Sequence, residues 1–514
     1  MKKTLPFLLL LLIFSTFVYA FTLAPGLVWD PVDVGTLLAS ISSSRFFSYS
    51  FSPLYFLVGR FLFFLSGCKV ASIANLFSLF SAVLTQAVFY ITLREVTKKD
   101  VVALFGALFL SVFPFFWQYA LYANYYIVWT AVAWLFLFFV FTLESVSKLT
   151  WQLLLGCGLF FALALAAFPL SVFLSFPLLL IFVEQRRMIT RNQVLIFFSS
   201  FVIPLLFIFG AATQAGVSLE AFFGSLVPVD PLLQTAEANL VSLAKTIFPG
   251  FYWIVIPFAA VGFLFGEEGV RGVSKFLIVF LVTPVLYTFA VSEGAYLLLV
   301  TFIVFWAALG FGSFLDLIWK VSDTEIGTAV ENKFFVLVFR LKKEAQALKI
   351  ISLSLLGGLA LLLCFYSFPE HWRELNRAND GEAENYVELV EGRVGWPSLV
   401  FSPENSRYIS ALRYLEAING EKSLVVTYPA AGLDSSEVLR LRTHHPELKV
   451  PDFLGFAQTS AAANSWLRKL VAWNKDEFSI FLTLDKVSAG VGREVGEWEG
   501  FSLVTYEPLY KLEP

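Results

Sequence analysis

The sequence predicts a mainly α, polytopic membrane protein of about 11 transmembrane helices, followed by a small C-terminal soluble α/β domain, and three observations carry that prediction. Hydrophobic residues make up 58% of the 514-residue chain and charged residues 15%, a balance suited to folding in lipid and unnecessary for a soluble protein of this size. Apolar runs of roughly 20 residues, the length that spans a bilayer, recur through the first two thirds of the chain. Lys and Arg gather on alternate connecting segments. The 59 Phe residues read as filler of lipid-facing helices, not as a ligand cage.

The runs lie near 5–22, 72–93, 101–117, 125–143, 151–168, 171–183, 193–212, 250–266, 276–291, 295–315 and 350–368. The run at 171–183 is short, but the charge pattern requires it. With the N-terminus cytoplasmic, the inner segments hold 17 Lys and Arg, among them Lys2, Lys3, Lys98 and Arg187, while the outer ones hold Arg45, Arg60, Lys69 and Lys245. This positive-inside bias makes the chain a multi-pass cell-membrane protein with an extracytoplasmic C-terminus. The expected division is a transmembrane domain at 1–368 and a soluble domain at 369–514. Outer loops fall at 24–71 and 213–249, and a cytoplasmic linker at 319–349. Lys2-Lys3, the apolar core and Val18-Tyr19-Ala20 also resemble a cleavable secretory signal; the core running on to Leu23 and the odd span count favour a retained anchor.

Charge separates the two parts. Residues 1–368 carry 21 Lys/Arg against 17 Asp/Glu, and residues 369–514 carry 15 against 22, so the tail is acidic and no nucleic-acid partner is expected. Within it, Ser423–Thr427 and Ser479–Leu484 read as buried strands, and 406–418 and 461–473 as helices. His444-His445 reads as a solvent-exposed pair, since no further metal ligands accompany it. Cys68, Cys157 and Cys364 lie far apart in apolar surroundings and read as packing residues. No glycine-rich phosphate loop or nucleophile motif occurs, and no cofactor is expected.

Apart from Asp316 near a cytoplasmic end, the predicted span cores contain no Asp, Glu, Lys, Arg or His. Ion-coupled transporters place such groups at mid-membrane, so a lipid or sugar transporter ranks below other readings. Polar chemistry lies in the outer loops. The first reads Thr22-Leu-Ala-Pro-Gly-Leu-Val-Trp29-Asp30-Pro31-Val-Asp33-Val-Gly35, then Ser52-Pro53-Leu54-Tyr55 through Gly59-Arg60 on a stretch expected to lie along the interface. Two carboxylates beside the membrane suit a general base acting on a hydroxyl. The same residues suit a helix start, with Asp30 as N-cap, Pro31 at the first position and Asp33 at the third.

The Thr-Leu-Ala-Pro-Gly-Leu-x-Trp opening with its acid, Pro53-Leu-Tyr-x-Leu-x-Gly-Arg60, Asn75-Leu-Phe-Ser78 and Phe113-Pro-Phe-Phe-Trp117 resemble the protein O-mannosyltransferase-like membrane family of the GT-C glycosyltransferase superfamily. In the tail, Ala411–Glu416, Ser423–Tyr428, Val438–Arg442, Pro446–Val450, Phe501–Tyr506 and Leu509–Leu512 are similar to that family's segment after its last membrane helices. The resemblance implies a GT-C-like architecture and a glycosyltransferase that moves a sugar, mannose being the candidate, from a polyprenyl-phosphate donor to an acceptor hydroxyl on a protein, glycan or lipid. It maps the catalytic acid onto Asp33, with Asp30 second.

A lipid-phosphate leaving group wants a nearby cation. Arg60 and Lys245 are the donor phosphate-binding candidates, with Arg60 equally suited to snorkelling among headgroups. Tyr122, Asn124, Tyr125 and Tyr126 suit a sugar pocket or an aromatic interfacial belt. The loop before Pro249, with Glu220, Asp230 and Lys245, suits an acceptor contact. The chain also departs from the family: Asp30-Pro-Val-Asp33 replaces Asp-Ser-Gly-Glu, Ser48-Tyr-Ser-Phe51 replaces a His-Pro-Pro-Gly stretch, and Tyr122-Ala-Asn-Tyr-Tyr126 carries neither of the usual two acids. An inactive GT-C-like scaffold is therefore the alternative to a transferase.

Overall fold

The structure, a computed structural model, describes residues 5–28, 37–38, 41, 52–66, 69–145, 150–184, 190–214, 255–265, 296–323, 372–373, 375–402, 407–418, 424–429, 431–454, 460–483, 497–498, 501–506 and 509–513. Its first part is helical: α1 (Leu5–Thr22), α2 (Pro53–Ser66), α3 (Val70–Thr97), α4 (Asp100–Val112), α5 (Pro114–Ala120), α6 (Tyr125–Ser145), α7 (Trp151–Ala167), a 3-10 turn (Pro169–Leu174), α8 (Ser175–Glu184), α9 (Arg191–Gln214), α10 (Val255–Phe265) and α11 (Tyr296–Asp323). Among the described residues, α1, α3, α6, α9 and α11 are long and apolar enough to cross a membrane, and α4 with α5 makes a sixth if the bent pair is one span. The expected runs at 276–291 and 350–368 lie outside the described residues.

Two expected spans take a different shape, each for a local reason. The run at 101–117 is bent by 66° between α4 and α5. Pro114 has no N–H to continue the helix, and the residue before a proline is driven from the helical region, so Phe113 sits at φ −68°, ψ 119°. The run at 171–183 opens as the 3-10 turn after Pro169, with Phe168 extended. Ser171 pins that turn, donating to the Ala164 carbonyl and accepting from Trp129 Nε1, both at 2.7 Å. Lys98 makes the reverse connection between α3 and α4 compact: it adopts φ 55° and its N–H donates to the Arg94 carbonyl at 2.8 Å.

Packing sorts the helices by solvent. α6 and α11 are central, with Trp134 Nε1 donating to Thr301 Oγ1 at 2.7 Å and Phe89 of α3 edge-on to the Trp134 ring at 4.8 Å. α10 lies so close on α11 that a Cβ at Gly262 would stand 1.9 Å from the Trp306 carbonyl oxygen, and one at Gly310 the same distance from that of Phe258. α1 and α9 line the outside and turn Leu10, Ile13, Phe17, Leu195, Ile203, Leu206 and Phe207 outward. Such a continuous apolar surface is tolerated in lipid and not in water.

The tail contains α12 (Glu382–Arg393), β1 (Ser398–Phe401), α13 (Arg407–Ile418), β2 (Leu424–Thr427), α14 (Ser435–His444), α15 (Ser460–Asn474), β3 (Ser479–Leu482), β4 (Glu497–Trp498), β5 (Phe501–Tyr506) and β6 (Leu509–Glu513). The strands form one six-stranded sheet in the order β2-β1-β3-β6-β5-β4. β1 is parallel to both neighbours, with Val400 opposite Val426 and Phe481, while β6, β5 and β4 add antiparallel. β1 and β2 are buried at every residue, as parallel strands covered on two faces should be. The two anticipated strands and two anticipated helices are present. β1 (Ser398–Phe401), which joins those strands, escaped the sequence analysis.

A charged network closes the tail's core. Glu437 accepts from Arg440 Nε at 2.9 Å, from Arg413 Nη2 at 3.2 Å and from Thr427 Oγ1 at 2.9 Å. Arg440 also reaches Glu416 Oε1 at 3.2 Å and the Val426 carbonyl. His445 corrects the sequence reading of the histidine pair: it is buried, with Nε2 2.6 Å from Glu416 Oε1, because the turn after α14 carries it inward against α13. Burial alone would raise the Glu437 carboxyl, but the charges of Arg440 and then Arg413 outweigh it and hold the group at about 2. Because the folded value lies below the ordinary 4.5, this contribution is complete above pH 4.5 and fades as the pH falls toward 2. Glu437→Gln should cost about 3–5 kcal/mol at neutral pH by leaving Arg440 and Arg413 without their shared partner. Denaturation of the purified chain in detergent should show the gap between variant and wild type closing as the pH is lowered below 4.5.

Candidate functional site

The end of the bundle that carries the tail is an irregular-loop region. Buried loops need protein partners for their backbone groups, and α3 supplies them. Asn75, fully buried one turn into α3, donates through Nδ2 to the carbonyls of Ala24 and Gly26, both at 2.9 Å, and accepts at Oδ1 from the Ala123 N–H at 2.7 Å. One side chain thus ties the loop after α1 to the loop between α5 and α6. Ser72 donates to the Pro25 carbonyl at 2.9 Å, and the Ser78 hydroxyl accepts from the Asn124 N–H at 2.9 Å. The carbonyls of Ala24, Pro25 and Gly26 are therefore all taken by α3, while the Ala24 N–H donates to the Leu121 carbonyl at 3.0 Å.

α1 and α5 complete the frame. Trp117 Nε1 donates to Thr22 Oγ1 at 3.0 Å, and Thr22 Oγ1 donates back to the Val18 carbonyl at 2.7 Å. Deeper in the bundle, Tyr19 donates to the Ser111 carbonyl at 2.9 Å and meets Gln86 Nε2. The bend at Phe113 allows α5 to turn Trp117 toward α1 while Leu121 reaches the first loop.

The sequence-derived candidates fall in three places. Asp30, Asp33 and Lys245 lie outside the described residues, as do Glu220 and Asp230. Arg60 sits on α2 with its guanidinium 5.8 Å from the Phe56 ring centroid, and α2 itself packs onto the segment beyond the acids, since a Cβ at Gly59 would stand 2.9 Å from Ile41 Cδ1. Tyr122, Asn124 and Tyr126 are buried, and Tyr125 is half-buried. Their loop brings them together: the Tyr125 and Tyr126 rings stand 4.1 Å apart, Tyr126 is edge-on to Phe168 at 5.3 Å, and Tyr119 lies 6.1 Å from Tyr122. Asn124 Oδ1 accepts from the Tyr126 N–H at 2.8 Å and caps the start of α6. Its side-chain oxygen thus serves the helix end.

Asn75 and Ser78 entered the sequence analysis as ends of the Asn75-Leu-Phe-Ser78 motif, without an assigned role, and Ser72 was not singled out. Glu384 carried no sequence signal at all. It reaches Lys69 across 315 positions of chain, a distance over which local pattern says nothing.

No protein-family model matches the sequence, and no curated protein matches it. Solved structures do. ArnT from Cupriavidus metallidurans in the apo state is similar with a TM-score of 0.61 at 12% identity, covering 98% of this chain and 97% of that one. The same protein bound to undecaprenyl phosphate gives 0.60 at 11% identity over 99% and 98%. Archaeal oligosaccharyltransferase AglB from Archaeoglobus fulgidus, in complex with an inhibitory peptide and a dolichol-phosphate, gives 0.51 at 13% identity over 94% of this chain and 69% of that one. The chain has the GT-C fold. With its apolar helices, the GT-C fold makes this a multi-pass membrane protein. The coverage reaches through the helical part and the sheet-bearing tail alike, so the GT-C architecture expected from the loop motifs holds for nearly the whole length.

Replacing Asn75 by Ala should leave two carbonyls and one N–H buried without partners, at about 1–3 kcal/mol for each orphaned group. The variant should unfold well below wild type in detergent, and Ser72→Ala, which frees one carbonyl, should lose less. Equal thermal midpoints for Asn75→Ala and wild type would remove Asn75 from its organising position.

Proposed function

We propose that the chain transfers a sugar from a polyprenyl-phosphate donor to an acceptor hydroxyl at the extracytoplasmic membrane face. The near full-length match to ArnT carries the reading, because that protein's fold accommodates undecaprenyl phosphate, and AglB, of similar fold, holds a dolichol-phosphate together with a peptide. Mannose as the sugar rests on the family resemblance of the loop motifs. The acceptor class, protein, glycan or lipid, is open within the proposal.

In the reaction, an acceptor oxygen forms a bond to the anomeric carbon while the bond from that carbon to the donor phosphate breaks. The bonding pair leaves with the polyprenyl phosphate, and the acceptor proton passes to Asp33 as general base. Arg60 and Lys245 are assigned to the phosphate, where positive charge lowers the cost of the departing oxyanion. The loop of Tyr122, Tyr125 and Tyr126 offers aromatic faces for a sugar ring. Asp30 is assigned to the helix cap, since Pro31 fixes a helix start and draws the Asp30 side chain to the free N–H groups behind it. A catalytically inactive GT-C scaffold is the second reading, favoured by the engagement of Asn124 in the α6 cap where the related family carries an acid.

Radiolabelled polyprenyl-phosphate mannose supplied to membranes carrying the chain tests the proposal. Asp33→Asn should lose about 100-fold or more of the transfer rate. Asp30→Ser, which keeps a capping oxygen, should retain most of it, and the reverse pattern would exchange the two roles. Absence of transfer by a folded wild-type chain across sugars and acceptors would favour the scaffold. Transfer should persist in EDTA, because a monophosphate leaves with less charge than a diphosphate; restoration by magnesium after loss would reverse that expectation.

Orientation is part of the same proposal. Cysteines placed at Tyr125 and after Pro369 should react with an impermeant reagent in intact cells, while those at Lys98 and Arg187 should be protected.

A further inference from the structure

The tail grips the first outer loop at a point that the transfer chemistry leaves unexplained. Glu384, in the first turn of α12, ion-pairs with Lys69. Its carboxylate also fills the space over Gly26, where an added Cβ would stand 2.3 Å from Oε2. Lys69 is the N-cap residue of α3. A cation there meets the positive end of the helix dipole and offers no oxygen to the free N–H groups, so the helix gains nothing from it. The gain comes from across the gap: the hydrogen bond and charge of Glu384 raise the Lys69 pKa, and the charge of Glu388, one turn along α12, adds to them.

Two neighbouring contacts act in the same direction. The Arg377 N–H donates to the Thr22 carbonyl at 3.0 Å, giving the last turn of α1 a partner from the tail. Trp372 stands edge-on to Trp117 with ring centroids 5.9 Å apart. On its opposite side, α12 is fixed to the tail's core by buried Ala383, Val387 and Val390, and by Tyr386 against Tyr408 of α13 at 5.1 Å. α12 therefore bridges α13 and Gly26, four residues before Asp30 in the chain.

We infer that α12 is a latch: Glu384, through Lys69 and the absence of a side chain at Gly26, clamps the 22–28 segment, the stretch of chain that leads to Asp30 and Asp33. Glu384 is a positioning residue, and its catalytic consequence rests on the transferase reading. Lys69 is thereby a latch partner, distinct from the cations assigned to the donor phosphate.

The test uses the full-length chain in detergent, measuring hydrogen exchange of the 22–28 segment, and the same variants in membranes, measuring transfer from radiolabelled polyprenyl-phosphate mannose. Glu384→Gln and Lys69→Met should each speed exchange of that segment ~10-fold and lower kcat at least ~10-fold, with KM for the donor nearly unchanged. Gly26→Ala, which displaces the carboxylate, should behave as Glu384→Gln does. Gly392→Ala, at a position of α12 with open space around it, should match wild type. The reversed pair, Lys69→Glu with Glu384→Lys, should restore both readouts. Wild-type exchange in Glu384→Gln would overturn the latch whether or not transfer is seen, and faster exchange with an unaltered rate would overturn the positioning role. Glu384-dependent protection in a wild-type chain that transfers no sugar would keep the latch and remove the transferase reading.

Discussion

The loop-bearing end of this bundle depends on one neutral amide. Asn75 holds two carbonyls of one loop and an N–H of another, and no other residue type does this from the same place. Asp lacks the two donors, Gln carries the amide one bond too far, and Leu leaves three backbone groups orphaned at a depth where water cannot reach them. Ser72 and Ser78 extend the same service along α3. An apolar spanning helix therefore opens with a polar turn because it is the scaffold for chain that is not itself helical.

Around that amide, the proline after Phe113 has a positive role. A straight helix over 100–120 would carry Trp117 along the bundle axis; the 66° bend instead brings the Trp117 indole to Thr22 and the Leu121 carbonyl to Ala24. Covalent geometry at one imide thus decides a contact between the first and fifth helices. The tail is rigid for a different reason. Its buried carboxylates and guanidinium groups pair with one another, a Thr hydroxyl and a backbone carbonyl, so their desolvation is offset by contacts that tie β2, α13 and α14 together.

Sequence carried the architecture further than it carried the site. The runs at 5–22 and 125–143 became α1 and α6 almost residue for residue, because burial in lipid demands length and apolarity and little else. The tail strands at 424–427 and 479–482 were legible as apolar, β-branched or aromatic runs, whereas Ser398–Phe401, equally short but set between Pro397 and Pro403, did not register, though it lies between them in the sheet. His445 was read as exposed because a polar neighbourhood in sequence hid the buried Glu416 it would meet in space. Asn75 was legible as part of the Asn75-Leu-Phe-Ser78 motif but not as a hydrogen-bonding centre, because its three partners, 48 to 51 positions away, belong to tertiary structure.

The division between neutral and charged contacts at this end has a functional logic. A carboxylate or ammonium in the apolar interior would carry a desolvation cost of several kcal/mol and would impose its field on any charged donor headgroup nearby. Neutral donors on α3 fix the buried part of the first loop without that field, so the local potential is left to whichever residues meet the substrate. The charged contact, Lys69 with Glu384, lies at the rim, where Lys69 is mostly exposed and solvent screens it. Buried hydrogen bonds then supply the geometry of the loop, and the rim ion pair, weak by itself, adjusts how firmly the tail presses on it. Under the proposed transfer from a charged lipid, those two tasks gain from lying on different residues: the buried contacts of α3 stay neutral, and the contact open to salt is the one at the rim.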